Sequence, residues 1–528
     1  MVIDEQLHNH CKIAPEINEK NLIQIIQDNK NTAFGEKYGF EQIKSIEDYQ
    51  NRVPLSNYEE FSPYIKKMMQ GSKNQLTVYP LAGFCHTSGT TGEQKYIPVT
   101  ETELSRFSNY YERYQDEVQK DYGGKRLHLN TFRTKPGKKL KQPLLFTEIY
   151  YKYMREQKYL NIDTFVGGDD LLFVEQPGEI YFAKLWAALL EENITMIESI
   201  FLYDQLCFFG YLEENWKKVT QCIRKGSIPE SLGLSEQVTH YLLSLPVQSE
   251  RLEQVEKECG RGFENIAGRL WPNLRLLSGI SNKAFFSEDT ALKRYARDIP
   301  RYYLCYCASE CYMGHPMEED DFRYVLMPNH AFFEFLPYKK SGETCRTVLP
   351  HEVKPGKEYE IVYTTFAGLY RYRMGDIVKI VGFYEQSPVM EFSFRKNQFL
   401  NLAGEKMSVT QIEEAVNSLG TRGIKVEQYC FGSSMKQVPG RYVAGLVLDE
   451  CCSKTAPHEL SVCLDKILQQ KNADYKDLRN LNLLDCLDIT IFDKETYPLF
   501  LQKNGLSNGH NKPKHIATGR FLERNLNV

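Results

Sequence analysis

The sequence predicts an α/β protein with a large mixed sheet-and-helix domain followed by a smaller α/β domain. Three observations carry this expectation. A length of 528 residues leaves room for two or more domains, and 42% apolar with 25% charged residues is the composition of an ordered globular chain with sizeable cores. Short apolar runs bounded by turn residues, at Phe332-Phe-Glu-Phe-Leu336, Glu360-Ile-Val-Tyr-Thr364 and Asp376-Ile-Val-Lys-Ile-Val381, read as strands. Apolar residues recurring every three or four positions read as helices that cover them. The joint is placed near Arg395 and Lys396, giving a first domain of residues 1–395 and a second of 396–528 that contains the helix Gln411-Ile-Glu-Glu-Ala-Val-Asn-Ser-Leu419.

Taken in chain order, the first signal is the stretch Thr87-Ser-Gly-Thr-Thr-Gly-Glu-Gln-Lys95, between an apolar segment ending near Phe84 and the extended Tyr96-Ile-Pro-Val99. Gly89 and Gly92 permit backbone conformations that aim N–H groups at an anion. Ser88, Thr90 and Thr91 add hydroxyl donors, and Lys95 adds a positive charge. Such a loop suits the phosphates of a nucleotide. It lacks the lysine and hydroxyl that follow the second glycine of a Walker A loop, which disfavours a P-loop hydrolase, and the plain alternative is a polar surface turn. Thr100-Glu-Thr-Glu103 then forms a capping box, and the spacing of Leu104, Phe107, Tyr111, Tyr114 and Val118 predicts a helix packed on the first core.

Residues 180 to 225 read as predominantly helical, with Phe182, Leu185, Trp186 and Leu189 on one face and Phe208, Leu212 and Trp216 on the next segment. These helices either line an acyl pocket or cover a sheet; packing is the commoner use. The alternation from Tyr359 to Tyr363 also fits an antiparallel strand half exposed to water.

Composition excludes several classes. A formal charge of -4 gives no electrostatic reason to expect nucleic acid or acidic membranes as partners. The beginning, Met1 to His10, has no basic segment followed by an apolar helix, and no run reaches the ~20 apolar residues of a membrane span. A soluble, cytoplasmic protein is expected. The 14 cysteines are spread along the chain, as free thiols in a reducing compartment are. Cys305, Cys307 and Cys311 cluster, with the first two on one face of a strand, but without paired CxxC knuckles or companion histidines; a buried strand explains them better than zinc.

Several separated stretches form a more specific set. Read with Thr87 to Lys95, the segments Tyr306-Cys-Ala-Ser-Glu310, Tyr370-Arg-Tyr-Arg-Met-Gly-Asp376, Phe394-Arg-Lys-Asn-Gln398 and Gly509-His-Asn-Lys-Pro-Lys514 resemble the ordered motifs of the adenylate-forming superfamily. Within it the chain is most similar to the plant auxin-responsive acyl acid-amido synthetases and their bacterial relatives. Leu270-Trp-Pro-Asn273, Ala308-Ser-Glu-Cys-Tyr312 and Phe332 to Pro337 narrow the assignment, and the resemblance covers nearly the whole chain.

The resemblance implies a large adenylation domain, a small mobile C-terminal domain and a two-step reaction. A carboxylic acid and ATP give an acyl-adenylate and pyrophosphate; an amino acid amine then attacks, releasing AMP. It gives Ser88, Gly89, Thr90, Thr91, Gly92 and Lys95 the ATP phosphates, Glu310 the Mg²⁺ ion, and Asp376 the ribose hydroxyls, against a turn or cap aspartate as the bland alternative. It places the adenine near Gly279 and Tyr306, with Ser309 among the nucleotide-binding residues. Tyr306 is either a stacking ring or a core tyrosine, and Gly279 either admits close backbone approach or ends a strand. Arg395 contacts nucleotide, steadies the domain joint, or is a surface ion-pair residue. Lys512 is the catalytic lysine of the terminal segment, though His510 and Asn511 replace the glutamine-tyrosine pair common in plant relatives. His86 is left without a catalytic role, and thiol catalysis by Cys311 is not expected. The alternatives are an acid–thiol (acyl-CoA) ligase, which shares the first step, and a catalytically silent binding protein.

Overall fold

The computed structural model describes residues 3–87, 95–134, 144–175, 179–281, 292–338, 346–395, 399–449, 456–493, 496, 497 and 500. The first two strands, β1 (Leu81–Thr87) and β2 (Lys95–Thr100), form an antiparallel pair with Thr87 opposite Lys95. The capping box that follows is present: the Glu103 N–H donates to Thr100 Oγ1, Thr100 N–H donates back to Glu103 Oε2, and the helix runs Glu101–Tyr122.

A parallel sheet comes next, in the order β3 (Lys125–His128), β4 (Ile194–Phe201), β5 (Leu276–Ile280) and β6 (Arg301–Tyr302). Residues 180 to 225 are predominantly helical as expected, in the helices Ile180–Leu190 and Leu202–Lys225, but β4 lies between them and was not foreseen. Glu191-Glu-Asn193 ends the helix Ile180–Leu190, and the β-branched run Ile194-Thr-Met-Ile197 favours a strand before the helix Leu202–Lys225 begins. The helix Ile180–Leu190 is also buried around its circumference, from Phe182 through Leu189, rather than on one face.

The seven-stranded sheet is antiparallel throughout. Its strands are β7 (Tyr306–Ala308), β8 (Cys311–Pro316), β9 (Arg323–Leu326), β10 (Phe332–Pro337), β11 (Glu358–Thr364), β12 (Tyr372–Tyr384) and β13 (Ser387–Arg395), in the order β10-β11-β12-β13-β9-β8-β7. The three strands read from the sequence are β10, β11 and the middle of β12. β11 is not half exposed: residues 359–364 are all buried, and Glu360 is tolerated there because Arg373 pairs with it at 2.8 Å.

Beyond the joint lie a short ribbon of β14 (Phe399–Leu400) and β15 (Met407–Ser408), the helix Val409–Gly420, and a three-stranded sheet of β16 (Val426–Ser434), β17 (Arg441–Leu448) and β18 (Asp485–Phe492). β17 and β18 are parallel, so the chain crosses over between them through the helices Pro457–Lys471 and Ala473–Asn480.

Two hydrophobic clusters organise the molecule. One joins the N-terminal helices to the seven-stranded sheet through residues such as Phe34, Phe61, Phe332 and Tyr370. The other joins the helices beside the parallel sheet to the C-terminal unit, so that Trp186, Phe209 and Trp271 share a core with Leu400, Ile412 and Tyr442. Tyr203 reinforces that junction, its hydroxyl accepting from the Gly440 N–H at 2.9 Å and donating to the Leu483 carbonyl at 2.6 Å. Among the described residues no helix is long and apolar enough to cross a membrane.

Candidate nucleotide site

The β1–β2 pair brings the two ends of the glycine-rich stretch together. Helix Tyr58–Met69 fixes β2 from outside: the Tyr58 hydroxyl accepts from the Tyr96 N–H at 2.9 Å and donates to its carbonyl at 3.3 Å. Lys95 begins β2 with its ammonium 5.1 Å from the centre of the Tyr58 ring, a cation–π contact that holds it beside the loop base. Ser88, Gly89, Thr90, Thr91 and Gly92 lie outside the described residues, as does Lys512.

Asp376 is neither a turn nor a helix cap. It lies inside β12, only 2% exposed, directly opposite Arg395 of β13 in the register; the Arg395 side chain lies outside the described residues. The Tyr306 hydroxyl donates to Asp376 Oδ2 at 2.9 Å, which joins two motif segments 70 residues apart. The ring of Tyr306 is half-buried, tilted against Tyr324 and Phe392 at 5.9 and 6.1 Å.

What holds the segment leading into Asp376 is a buried ionic network. Arg371 takes a positive φ of 45°, uncommon for a residue with a side chain. Its guanidinium donates to both oxygens of Glu334 at 3.0 Å, to Thr347 Oγ1 at 2.9 Å, and to the carbonyls of Gln50 and Val53 at 2.9 and 2.8 Å. The strained residue is thereby over-determined by its partners. Arg371 and Glu334 both lie in segments that stand out in the sequence, but no local signal pairs positions this far apart.

Glu310 occupies the turn between β7 and β8, half-buried, with the Tyr372 hydroxyl 3.4 Å from its Oε1. Ser309 hydrogen-bonds the buried Cys85 thiol, whose pKa burial and the Glu310 charge push up. A second carboxyl faces the same cysteines. Glu103, besides capping its helix, accepts from the Thr100 hydroxyl at 3.1 Å and the Ala367 N–H at 3.2 Å, and burial of the carboxyl raises its pKa to about 7. The charges of Glu103 and Glu310 are both felt at Cys85 and Cys311. The capping-box pattern marked Glu103 only as a helix start.

Gly279 stands within β5 and does not end it. A Cβ there would come within 3.1 Å of the Leu202 nitrogen and 3.2 Å of Ser199 Oγ, so the glycine admits the close approach of β5 to the start of helix Leu202–Lys225. The Leu270-Trp-Pro-Asn273 segment is fixed by the buried Trp271, whose indole N–H reaches the Ala188 and Glu191 carbonyls at 3.0 and 3.1 Å. His86 is 7% exposed, and its Nδ1 is buried without a hydrogen-bond partner among the described residues.

The chain matches three successive family models: the GH3 family N-terminal domain over residues 4–300, the GH3 family central domain over 324–395 and the GH3 family C-terminal domain over 409–520. It is 27% identical over 519 residues to the indole-3-acetic acid-amido synthetase GH3.3 of Arabidopsis thaliana, covering 93% of this chain and 85% of that protein. It is 28% identical over 469 residues to GH3.8 of Oryza sativa subsp. indica, another indole-3-acetic acid-amido synthetase, covering 84% and 76%. Among solved structures, the GH3.15 acyl acid amido synthetase in complex with 2,4-DB superposes with a TM-score of 0.67 at 22% identity, over 97% of this chain and 93% of that one. A 2-hydroxyisobutyryl-CoA ligase in its thioesterification state shares the fold more distantly, with a TM-score of 0.53 at 12% identity, over 98% and 90%. Fold and motif order together define an adenylate-forming enzyme. The chain belongs to the GH3 family.

Proposed function

We propose that this protein is an ATP-dependent acyl acid-amido synthetase. In the first step the carboxylate of a small acid attacks the α-phosphorus of ATP, forming an acyl-adenylate and releasing pyrophosphate. In the second step the amine of an amino acid attacks the activated carbonyl to give an amide and AMP. The observation that carries the reading is Asp376, a buried strand carboxylate oriented by the Tyr306 hydroxyl, within the motif that the resemblance assigns to the ribose. A carboxylate so held accepts hydrogen bonds from vicinal hydroxyls.

Ser88, Thr90, Thr91, Lys95 and the glycines 89 and 92 orient the phosphates in this reading, and Lys512 stabilises charge as residues 396–528 close on residues 1–395. Gly279, Tyr306 and Ser309 border the nucleotide, and Arg395 serves it or the joint. Mg²⁺ would be held by one carboxylate, Glu310, half-buried in the turn between β7 and β8, together with substrate phosphates. Bound there, the ion would neutralise phosphate charge.

The test is mass spectrometry of purified protein with ATP, Mg²⁺ and a matrix of carboxylic acids and amino acids, with coenzyme A alongside. The expected product is an acyl-amide with AMP. An acyl-thioester would replace the reading with that of an acyl-CoA ligase, a reaction to which the fold is also suited, since the 2-hydroxyisobutyryl-CoA ligase shares it. ATP binding without pyrophosphate release across the matrix would instead favour a silent binding protein. Asp376→Asn and Lys512→Ala are each expected to lower AMP-forming turnover by roughly 10²-fold or more, with circular dichroism unchanged; unaltered turnover would remove these residues from the mechanism.

A further inference from the structure

Cys305 and Cys307 are used by nothing in the reaction, yet their sulfurs are 3.2 Å apart, in hydrogen-bond contact. Cys305 is buried and Cys307 half-buried, both as free thiols. The residue between them is Tyr306, whose hydroxyl orients Asp376. The backbone is irregular at this point: the pairing of β7 with β8 slips between Tyr306 and Cys307. Such an irregularity lets a strand bend where a regular ladder resists.

We propose that Cys305 and Cys307 are a redox pair whose oxidation to a disulfide bends β7 and withdraws the Tyr306 hydroxyl from Asp376, weakening nucleotide binding. The inference rests on the reading of Asp376 as a nucleotide ligand. Cys305 immediately precedes β7 and Cys307 lies within it; in extended backbone, residues two apart have Cα atoms near the upper limit of what a disulfide spans, ~6.8 Å, so closure draws the flanking backbone inward and turns the intervening residue.

The oxidant is a low-molecular-weight disulfide such as oxidised glutathione. The Cys307 thiolate, at the more exposed position, attacks one sulfur of that disulfide, forming a mixed disulfide and expelling one thiolate. Cys305 gives its proton to solvent and attacks the Cys307 sulfur, expelling the second thiolate. Two protein thiols are oxidised and one small disulfide is reduced to two thiols. The hydrogen bond to Cys307, followed by burial, holds the Cys305 thiol well above its ordinary pKa, consistent with Cys305 as the second, resolving sulfur.

The experiment uses the full chain, reduced or equilibrated with oxidised glutathione. Peptide mapping reads the linkage, amide hydrogen exchange reads residues 303–309, and calorimetry reads AMP binding. The expected result is a Cys305–Cys307 disulfide, faster exchange in that segment and AMP affinity roughly tenfold weaker, as loss of one hydrogen bond to a charged group gives, all restored by dithiothreitol. Cys307→Ser should bind AMP as the reduced protein does and lose the response; Cys305→Ser is the second variant. Failure to form the linkage, pairing of Cys307 with another cysteine, or a linkage that leaves exchange and affinity unchanged would overturn the proposal. Reduced protein that does not bind AMP would reject the nucleotide reading and the affinity arm, while exchange in residues 303–309 still decides whether the disulfide distorts the strand.

Discussion

Lys184 sits in the middle of helix Ile180–Leu190, 1% exposed, with its ammonium donating to the Leu171 carbonyl at 2.7 Å. Burial pushes its pKa from 10.5 down to about 7. The sign of the consequence follows from proton counts. Between pH 7 and 10.5 the unfolded chain holds a proton that the folded chain does not, so this residue makes stability rise with pH across that window. The slope is about 1.4 kcal/mol per pH unit. Thermal unfolding followed from pH 7 to 9 should show the rise, and Lys184→Met should flatten it; an equal slope in the variant would show that other groups set it. Asp376 stood out in the sequence because its motif is contiguous, and the alternative of a turn aspartate was removed only by the strand around it. Lys184 was hidden for the opposite reason: the helical period identified a face, whereas this helix has none.

At the level of elements, β12 carries Asp376 and the Arg371–Glu334 pair ties its approach to β10. Arg371 is also the anchor for residues Gln50 and Val53, ahead of the helix that braces β2. Arg371→Met leaves the Glu334 carboxylate in the core without its cation, at a cost of roughly 3–5 kcal/mol. A variant that also carries Glu334→Gln should recover part of the lost melting temperature, and no recovery would mean that the carbonyl contacts of Arg371 dominate. Three strands of this sheet, β10, β11 and the middle of β12, were readable because each is a short apolar run between turns. β4 was not, since a strand flanked closely by two apolar helices leaves the same composition as a longer helix. The pairing order of the sheet was not legible either, because register depends on contacts between residues distant in sequence.

Across the whole molecule, the C-terminal unit is joined to the large one by a shared core and by Tyr203. Tyr203→Phe removes both hydroxyl contacts, to Gly440 and Leu483, and is expected to cost about 1–3 kcal/mol. Limited proteolysis should then cut more readily near residues 438–440; an unchanged pattern would make the packed side chains alone responsible for the junction. The sequence places a joint near Arg395 and Lys396 but could not show this contact, since Tyr203 lies more than 230 positions from its partners. The shared core also bears on how the chain is made. When the first 395 residues have left the ribosome, the hydrophobic cluster that contains Phe209 and Trp271 still lacks its members Leu400, Ile412 and Tyr442. That core is completed only as the later residues emerge, so part of its apolar surface is uncovered during synthesis. A chain stopped at residue 395 is accordingly expected to aggregate, and to become soluble when residues 396–528 are supplied alongside.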